Sequence, residues 1–222
     1  MRVESLRRYP VKSCGGEDPD TVLVDARGLA GDRLWAVVDV EGKLASGKDS
    51  RRFRRRDPVF DLQARLVGQV PEVRLPQSEW TRVDEPGADA WVSGHFGAPV
   101  AFREEGEVSH MDAGRVSIVG SATLAAMREA DARRFRANLV VETDTPWIEE
   151  TWLDADLRIG EVVLRPVQRI QRCRMVDIAQ DGVPPRPGLL KSLARERDLH
   201  LAVYADVVQP GRLTRGDDAV VI

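Results

Sequence analysis

The stretch Leu34-Trp35-Ala36-Val37-Val38-Asp39-Val40-Glu41-Gly42-Lys43-Leu44 decides how the chain is read. Positions 34–40 carry the aromatic and β-branched residues of a strand. Glu41-Gly42 then offers a turn, so that 38–44 reads as a hairpin. Segments of the same kind recur at 2–8, 21–24, 62–67 and 90–93, and again at 116–119, 138–142, 161–167, 201–208 and 219–222. Two stretches read as helices. Residues 121–130 begin with Ser121 as a candidate N-cap and continue in strong helix formers; residues 187–195 place Leu189, Leu190 and Leu193 on one face. Many short strands with few helices predict a mainly β, α+β chain built as barrels or sandwiches rather than alternating strand and helix. A composition shift at 84–89 and a turn-rich stretch at 104–114 put a boundary near residue 100. That boundary divides the chain into two β-rich halves, 1–100 and 101–222.

Composition narrows the function classes. The 222 residues are 42% hydrophobic and 31% charged, with a formal net charge of -3, which argues against a dedicated nucleic-acid binder. No apolar run approaches the roughly 20 residues of a membrane span. The opening Met1-Arg2-Val3-Glu4 lacks the apolar core of a secretory signal. Two cysteines, Cys14 and Cys173, exclude a disulfide scaffold and any four-thiolate metal site supplied by this chain. The expectation is a cytoplasmic protein with reduced thiols and neither a membrane nor a nucleic-acid partner.

Cys173 stands in Gln168-Arg169-Ile170-Gln171-Arg172-Cys173-Arg174. Neighbouring cations favour thiolate over thiol, which makes a nucleophile or a metal ligand; the plain alternative is a buried cysteine at a strand end. If the strand continues, Arg169 and Gln171 share the face of Cys173 while Arg172 and Arg174 point away. In Tyr9-Pro10-Val11-Lys12-Ser13-Cys14-Gly15-Gly16, Lys12 and Ser13 offer an anion an ammonium and a hydroxyl, and the glycines permit close backbone approach. The alternative there is a solvated turn. Arg33, in Gly28-Leu29-Ala30-Gly31-Asp32-Arg33-Leu34-Trp35, reads as a phosphate fork or as a partner of Asp32. Arg136 and Asn138, in Arg134-Phe135-Arg136-Ala137-Asn138, could face an anionic ligand or end a helix before a buried strand. Ser121 and Thr123 add hydroxyls near a helix N-terminus. The run Arg51-Arg52-Phe53-Arg54-Arg55-Arg56 invites a nucleic-acid reading, with a solvated loop or edge strand as the better one. His95, His110 and His200 lack metal-ligand spacing; His110 with Asp112 reads as an acid–base pair or, by default, a surface loop pair, and Glu149-Glu150 as a substrate-orienting pair or a charged turn.

Taken in order, these motifs resemble a known family. Tyr9 to Gly16 followed by Gly28 to Trp35 is similar to the N-terminal β-barrel domain that accompanies MOSC domains. Arg134 to Asn138, Trp147-Ile148-Glu149-Glu150-Thr151-Trp152, Ile159-Gly160, Arg172-Cys173 and Pro210 to Asp217 are similar to the MOSC domain itself, within the amidoxime-reducing branch. The resemblance implies two interlocked β-barrel-like domains, 1–100 and 101–222, and a molybdenum cofactor (molybdopterin) between them, with Cys173 as the protein's catalytic ligand to molybdenum. It implies cofactor contacts at Lys12, Ser13, Arg33, Ser121, Thr123, Arg136, Asn138 and Arg172. A soft thiolate suits a metal already held by dithiolene sulfurs. The implied reaction is reduction of small N-hydroxylated compounds, with electrons from a separate donor protein. Lys48 stands where relatives often carry an arginine, and it cannot make the bidentate grip. Two other readings remain open: a cysteine persulfide carrier serving metal–sulfur cofactor assembly, and a binding module using the arginine run.

Overall fold

Alternation marks the strands that are covered on one face. In Thr21–Asp25 the buried residues are Val22 and Val24, and in Val70–Arg74 they are Pro71 and Val73. Strands covered on both faces lose that alternation: all five residues of Val116–Gly120 are buried. The computed structural model describes residues 1–128 and 131–222. Among the described residues there are four sheets, so the mainly β, α+β expectation holds. The largest runs Val3–Leu6, Leu139–Val141, Val116–Gly120, His200–Gln209, Val162–Gln171, Leu157–Ile159, Ala219–Val221. A second runs Val100–Glu104, Trp35–Asp39, Leu44–Ser46, Phe53–Arg55 and contains the expected hairpin. Asp39 closes its turn by accepting from the backbone N–H of Glu41 and of Lys43, and Gly42 takes a φ of 77°.

The halves are interlocked through exchanged strands. Val3–Leu6 pairs with Leu139–Val141, Val100–Glu104 with Trp35–Asp39, and Gly211–Thr214 with Thr21–Asp25. One core gathers Ile118, Leu139, Leu157, Leu164 and Val203; another gathers Val37, Leu62, Val73, Val92 and Phe102. The longest pairing, Val162–Gln171 against His200–Gln209, shifts register at Val163/Leu164, Pro166/Gln168 and Arg169/Gln171. Pro166 has no N–H for the ladder, and each bulge bends the ribbon. Its ends, Gln171 and His200, reach the cleft described below.

Among the described residues there are three α-helices. α1 (Ala88–Phe96) replaces the strand expected at 90–93. Ala88, Val92 and Phe96 are buried at a spacing of four, a helical stripe, and left-handed glycines flank it at Gly87 and Gly97. α2 (Ser121–Ala126) is shorter than expected; Gly120, not Ser121, is its N-cap. The expected continuation to 130 includes Glu129 and Ala130, which lie outside the described residues. α3 (Leu189–Arg197) buries Leu189 and Leu193 as the periodicity predicts. No helix among the described residues is long and apolar enough to cross a membrane.

Candidate functional site

Backbone pairing brings the first two motifs side by side. Lys12 N donates to Trp35 O at 2.7 Å, Trp35 N to Pro10 O at 3.1 Å, and Arg33 N to Tyr9 O at 2.7 Å. Lys12, Ser13 and Arg33 therefore enter one cleft of about 460 Å³, where they meet Arg136, Arg172 and Cys173. That volume lies within the range of small-molecule sites. Ser13, Arg33 and Arg136 have φ of 68°, 52° and 51°, a left-handed backbone that costs a non-glycine residue about 1–2 kcal/mol.

Tyr9 is the hub behind the wall. Its ring is fully buried and carries the guanidinium groups of Arg136 at 4.1 Å, Arg33 at 4.9 Å and Arg7 at 5.5 Å. Burial pushes the Tyr9 hydroxyl up to about 12, against the pull of Arg136 and Arg7, so the ring stays neutral and its face remains a cation platform. Arg33 is paired with the buried Asp32, donates to Arg136 O at 3.3 Å and lies 3.4 Å from Asn138 Oδ1. Arg136 donates through Nη2 to Cys14 O at 2.8 Å, while its Nη1 is buried with no partner among the described residues. Burial lowers the pKa of Arg136. It also lowers Arg172, to about 10; that side chain is held by Leu201 O at 2.7 and 2.9 Å and by Phe135 O at 2.8 Å. Lys12, 3% exposed, is pushed down by burial to about 8, with Asp112 pulling the other way.

Cys173 is half-buried and lines the same cleft. The strand stops at Gln171, and Cys173 is the residue before a single 3-10 turn, Arg174–Val176. The strand-face expectation is corrected accordingly: Arg172 and Cys173 both face the cleft, because the chain leaves the ladder between Gln171 and Cys173. Arg174 does turn away, gripping Asp57 at 2.8 and 2.9 Å and so fastening this loop to the first half. Cys14 is sealed in the core and burial raises its thiol to about 12, which leaves it inert. Among the described residues no cluster of three His, Cys, Asp or Glu side chains could hold a metal.

Three expected site residues lie outside the cleft lining. Asn138 is buried behind it; its Oδ1 accepts from Ser117 N at 3.1 Å and Ser117 Oγ at 2.8 Å, and its Nδ2 donates to Arg7 O at 3.1 Å. It braces the wall beside Arg33. Ser121 Oγ donates to Thr143 O and accepts from Thr143 N, while Thr123 Oγ1 donates to Glu149 and accepts from Trp147 N. Both hydroxyls are used by the chain itself. The glycines after Cys14 also serve the fold: a Cβ on Gly15 would fall 2.6 Å from Asp181 Oδ1, a carboxylate that accepts from Gly16 N and pairs with Arg7. Tyr204, which lines the cleft, was missed because it stands mid-strand with no motif around it. Asp112 does not pair with His110. It bridges Lys12 and Lys48, whereas His110 is buried and burial pushes it down to about 4.

The MOSC domain is matched over residues 99–220, and the MOSC N-terminal beta barrel domain over residues 1–95. The chain belongs to the MOSC family. This MOSC protein is 25% identical over 255 residues to the molybdenum cofactor sulfurase of Homo sapiens, covering 88% of this chain and 28% of that protein. It is likewise 25% identical over 278 residues to the molybdenum cofactor sulfurase of Drosophila mojavensis, covering 99% of this chain and 35% of that protein. The chain thus spans about a third of the length of these relatives. Its fold is like that of the YuaD protein from Bacillus subtilis, with a TM-score of 0.54 at 14% identity over 98% of this chain and 93% of that one. The MOSC cleft is lined by seven Lys and Arg side chains and, among the described residues, by one carboxylate, Asp112. Chemically it suits a polyanion with one soft ligand position.

Proposed function

We propose that this MOSC protein holds a molybdenum cofactor in the cleft and, so loaded, reduces N-hydroxylated compounds. The observation that carries the reading is the single accessible thiol, Cys173, opening into a cleft whose Arg136 Nη1 is buried and, among the described residues, unpaired. A buried unpaired donor on a guanidinium is costly and fits an anionic ligand group. Lys12, Ser13, Arg33, Arg136 and Arg172 would hold the pterin's phosphate and ring, Asn138 would brace Arg33, and Cys173 would be the protein ligand to molybdenum. Ser121 and Thr123 would act behind the wall, Ser121 by fixing Thr143 and Thr123 by fixing Trp147 and Glu149. When bound, the cofactor supplies two-electron chemistry that accepts an oxygen atom from nitrogen. The chain's own part would be to fix the cofactor's orientation, to supply a field of fixed positive charge, and to offer the metal the Cys173 thiolate.

A separate protein would deliver electrons, and the substrate would be a small molecule entering past Lys48 and Asp112. Neither nucleic acid nor membrane is proposed as a partner, and the proposed compartment is the cytoplasm. The arginine run supports this, being largely engaged already. Arg54 pairs with Asp39 and Glu41, Arg55 with Asp57, Arg56 with Asp39, and Arg52 donates to the carbonyls of Ser109 and Met111.

Elemental analysis after production in a host that makes the cofactor tests the reading. Near-stoichiometric molybdenum is expected in the wild type and loss of it in Cys173→Ala, with unchanged circular dichroism. Folded wild type free of molybdenum in such a host would overturn it. A second reading, a persulfide carrier, draws on the similarity to the molybdenum cofactor sulfurases and uses the same thiol. Intact mass spectrometry separates the two: a gain of about 32 Da on Cys173 from a persulfide donor, without molybdenum, supports the carrier.

A further inference from the structure

Asp112 is the one carboxylate, among the described residues, on a wall of cations. Its two oxygens are divided between two lysines: Oδ2 takes Lys12 Nζ at 3.0 Å and Oδ1 takes Lys48 Nζ at 3.0 Å. Both ammonium groups also sit over the Phe53 ring, at 5.0 and 4.6 Å. A carboxylate shared by two ammoniums is how an oxyanion sits on an anion site. Here the chain supplies the oxyanion. Lys12 is nearly sealed from water, and an unpaired cation at that depth would be strongly destabilising. Asp112 supplies the missing charge while remaining 39% exposed.

The segment that carries it is a strap fastened at both ends. At residue 105, the Glu105 carboxylate accepts from Arg27 at 2.8 Å, from Ser109 Oγ at 3.2 Å and from His110 N at 2.6 Å. Arg52 donates to Ser109 O and, at 2.8 Å, to Met111 O. At the far end Gly114 is pressed on Tyr204, where a Cβ would fall 2.3 Å from the side chain. Between these anchors the Asp112 side chain has, among the described residues, no hydrogen-bond partner but the two lysines.

We propose that Asp112 is a built-in competitor for the cleft's anionic ligand. Its carboxylate closes the Lys12–Lys48 pair while the cleft is empty and leaves when a ligand's phosphate takes those lysines. The proposal rests on the cofactor reading only for the identity of that ligand. Two anions cannot share the pair without like-charge repulsion, so ligand affinity is reduced by the fraction of molecules in which Asp112 is seated. A neutral molecule gains nothing by displacing it, which makes the strap a filter for oxyanions as well as a cover.

The test uses full-length protein produced without cofactor and inorganic phosphate as the probe. Calorimetry should show Asp112→Asn binding phosphate about tenfold more tightly than wild type, and Lys48→Met binding it more weakly. Saturating phosphate should also speed amide exchange over residues 106–111 in the wild type, a readout that needs no variant. Equal or weaker binding by a folded Asp112→Asn, or exchange that phosphate leaves unchanged, overturns the proposal. The two readings fail separately. Molybdenum-loaded wild type with no such gain in Asp112→Asn removes the gate alone. A gain in protein that never loads molybdenum removes the cofactor reading and keeps the gate.

Discussion

Glu149 shows how far a single residue's role depends on its surroundings. In sequence it is half of a charged turn, Glu149-Glu150. In the fold it is fully buried, Thr123 donates to its Oε2 at 2.9 Å, and its Oε1 has no partner among the described residues. Burial raises its pKa above the ordinary 4.5. A raised folded-state value means that the protonated side chain's contribution to stability is complete below the unfolded value. That contribution is lost as pH rises through the folded one. Glu149→Gln, neutral at every pH, should therefore match wild type near pH 4 and exceed it in urea midpoint at pH 8. A gap that does not widen with pH would mean the carboxyl is not forced to ionise in the folded state. Lys12, Arg33 and Cys173 were legible as chemistry from their neighbours in sequence. Glu149 was not, because nothing local announces that Gly120 and Thr123 will close around it.

At the scale of elements, the loop 12–16 is shaped by what packs on it. A Cβ at Gly15 would stand 2.5 Å from Gln63 Oε1 and 2.6 Å from Asp181 Oδ1. Asp181 is itself locked, accepting from Arg7 Nη2 at 2.7 Å and from Gly16 N at 3.1 Å. Gly15→Ala should cost about 1–3 kcal/mol by overpacking and should disturb Lys12 and Ser13. At Gly42 there is open space and a φ of 77°, so Gly42→Ala should cost about 1 kcal/mol through the backbone alone and leave the cleft intact. Urea unfolding with phosphate binding measures both; a Gly15→Ala protein that binds phosphate like wild type would detach this packing from the site. The same scale explains the misread helix. Residues 90–93 look strand-like, but Ala88, Val92 and Phe96 bury one helical stripe against a core that the window 90–93 does not contain.

For the whole molecule, the exchanged strands make the halves depend on each other. Val100–Glu104 completes the sheet of Trp35–Asp39, and Val3–Leu6 completes the sheet of Leu139–Val141. Chains ending at residue 99 or beginning at residue 100 would each leave strand edges open and apolar faces uncovered. Neither fragment alone should show a cooperative thermal transition, whereas a mixture of the two should regain one. A sharp melt from either fragment would mean that the exchange is decoration on an independent core. The sequence by itself determined the β character, the hairpin at 38–44, the lone thiol in a basic setting and the charge balance, because each is written in residue type and short-range spacing. Tertiary structure alone decided that Lys12, Arg33, Arg136 and Cys173 share one cleft, that Asn138, Ser121 and Thr123 stand behind or away from it, and that Asp112 sits across its lysines. Periodicity reports which side of an element is buried. It says nothing of which buried or charged sides will meet, and here the meeting is made by strands crossing between halves.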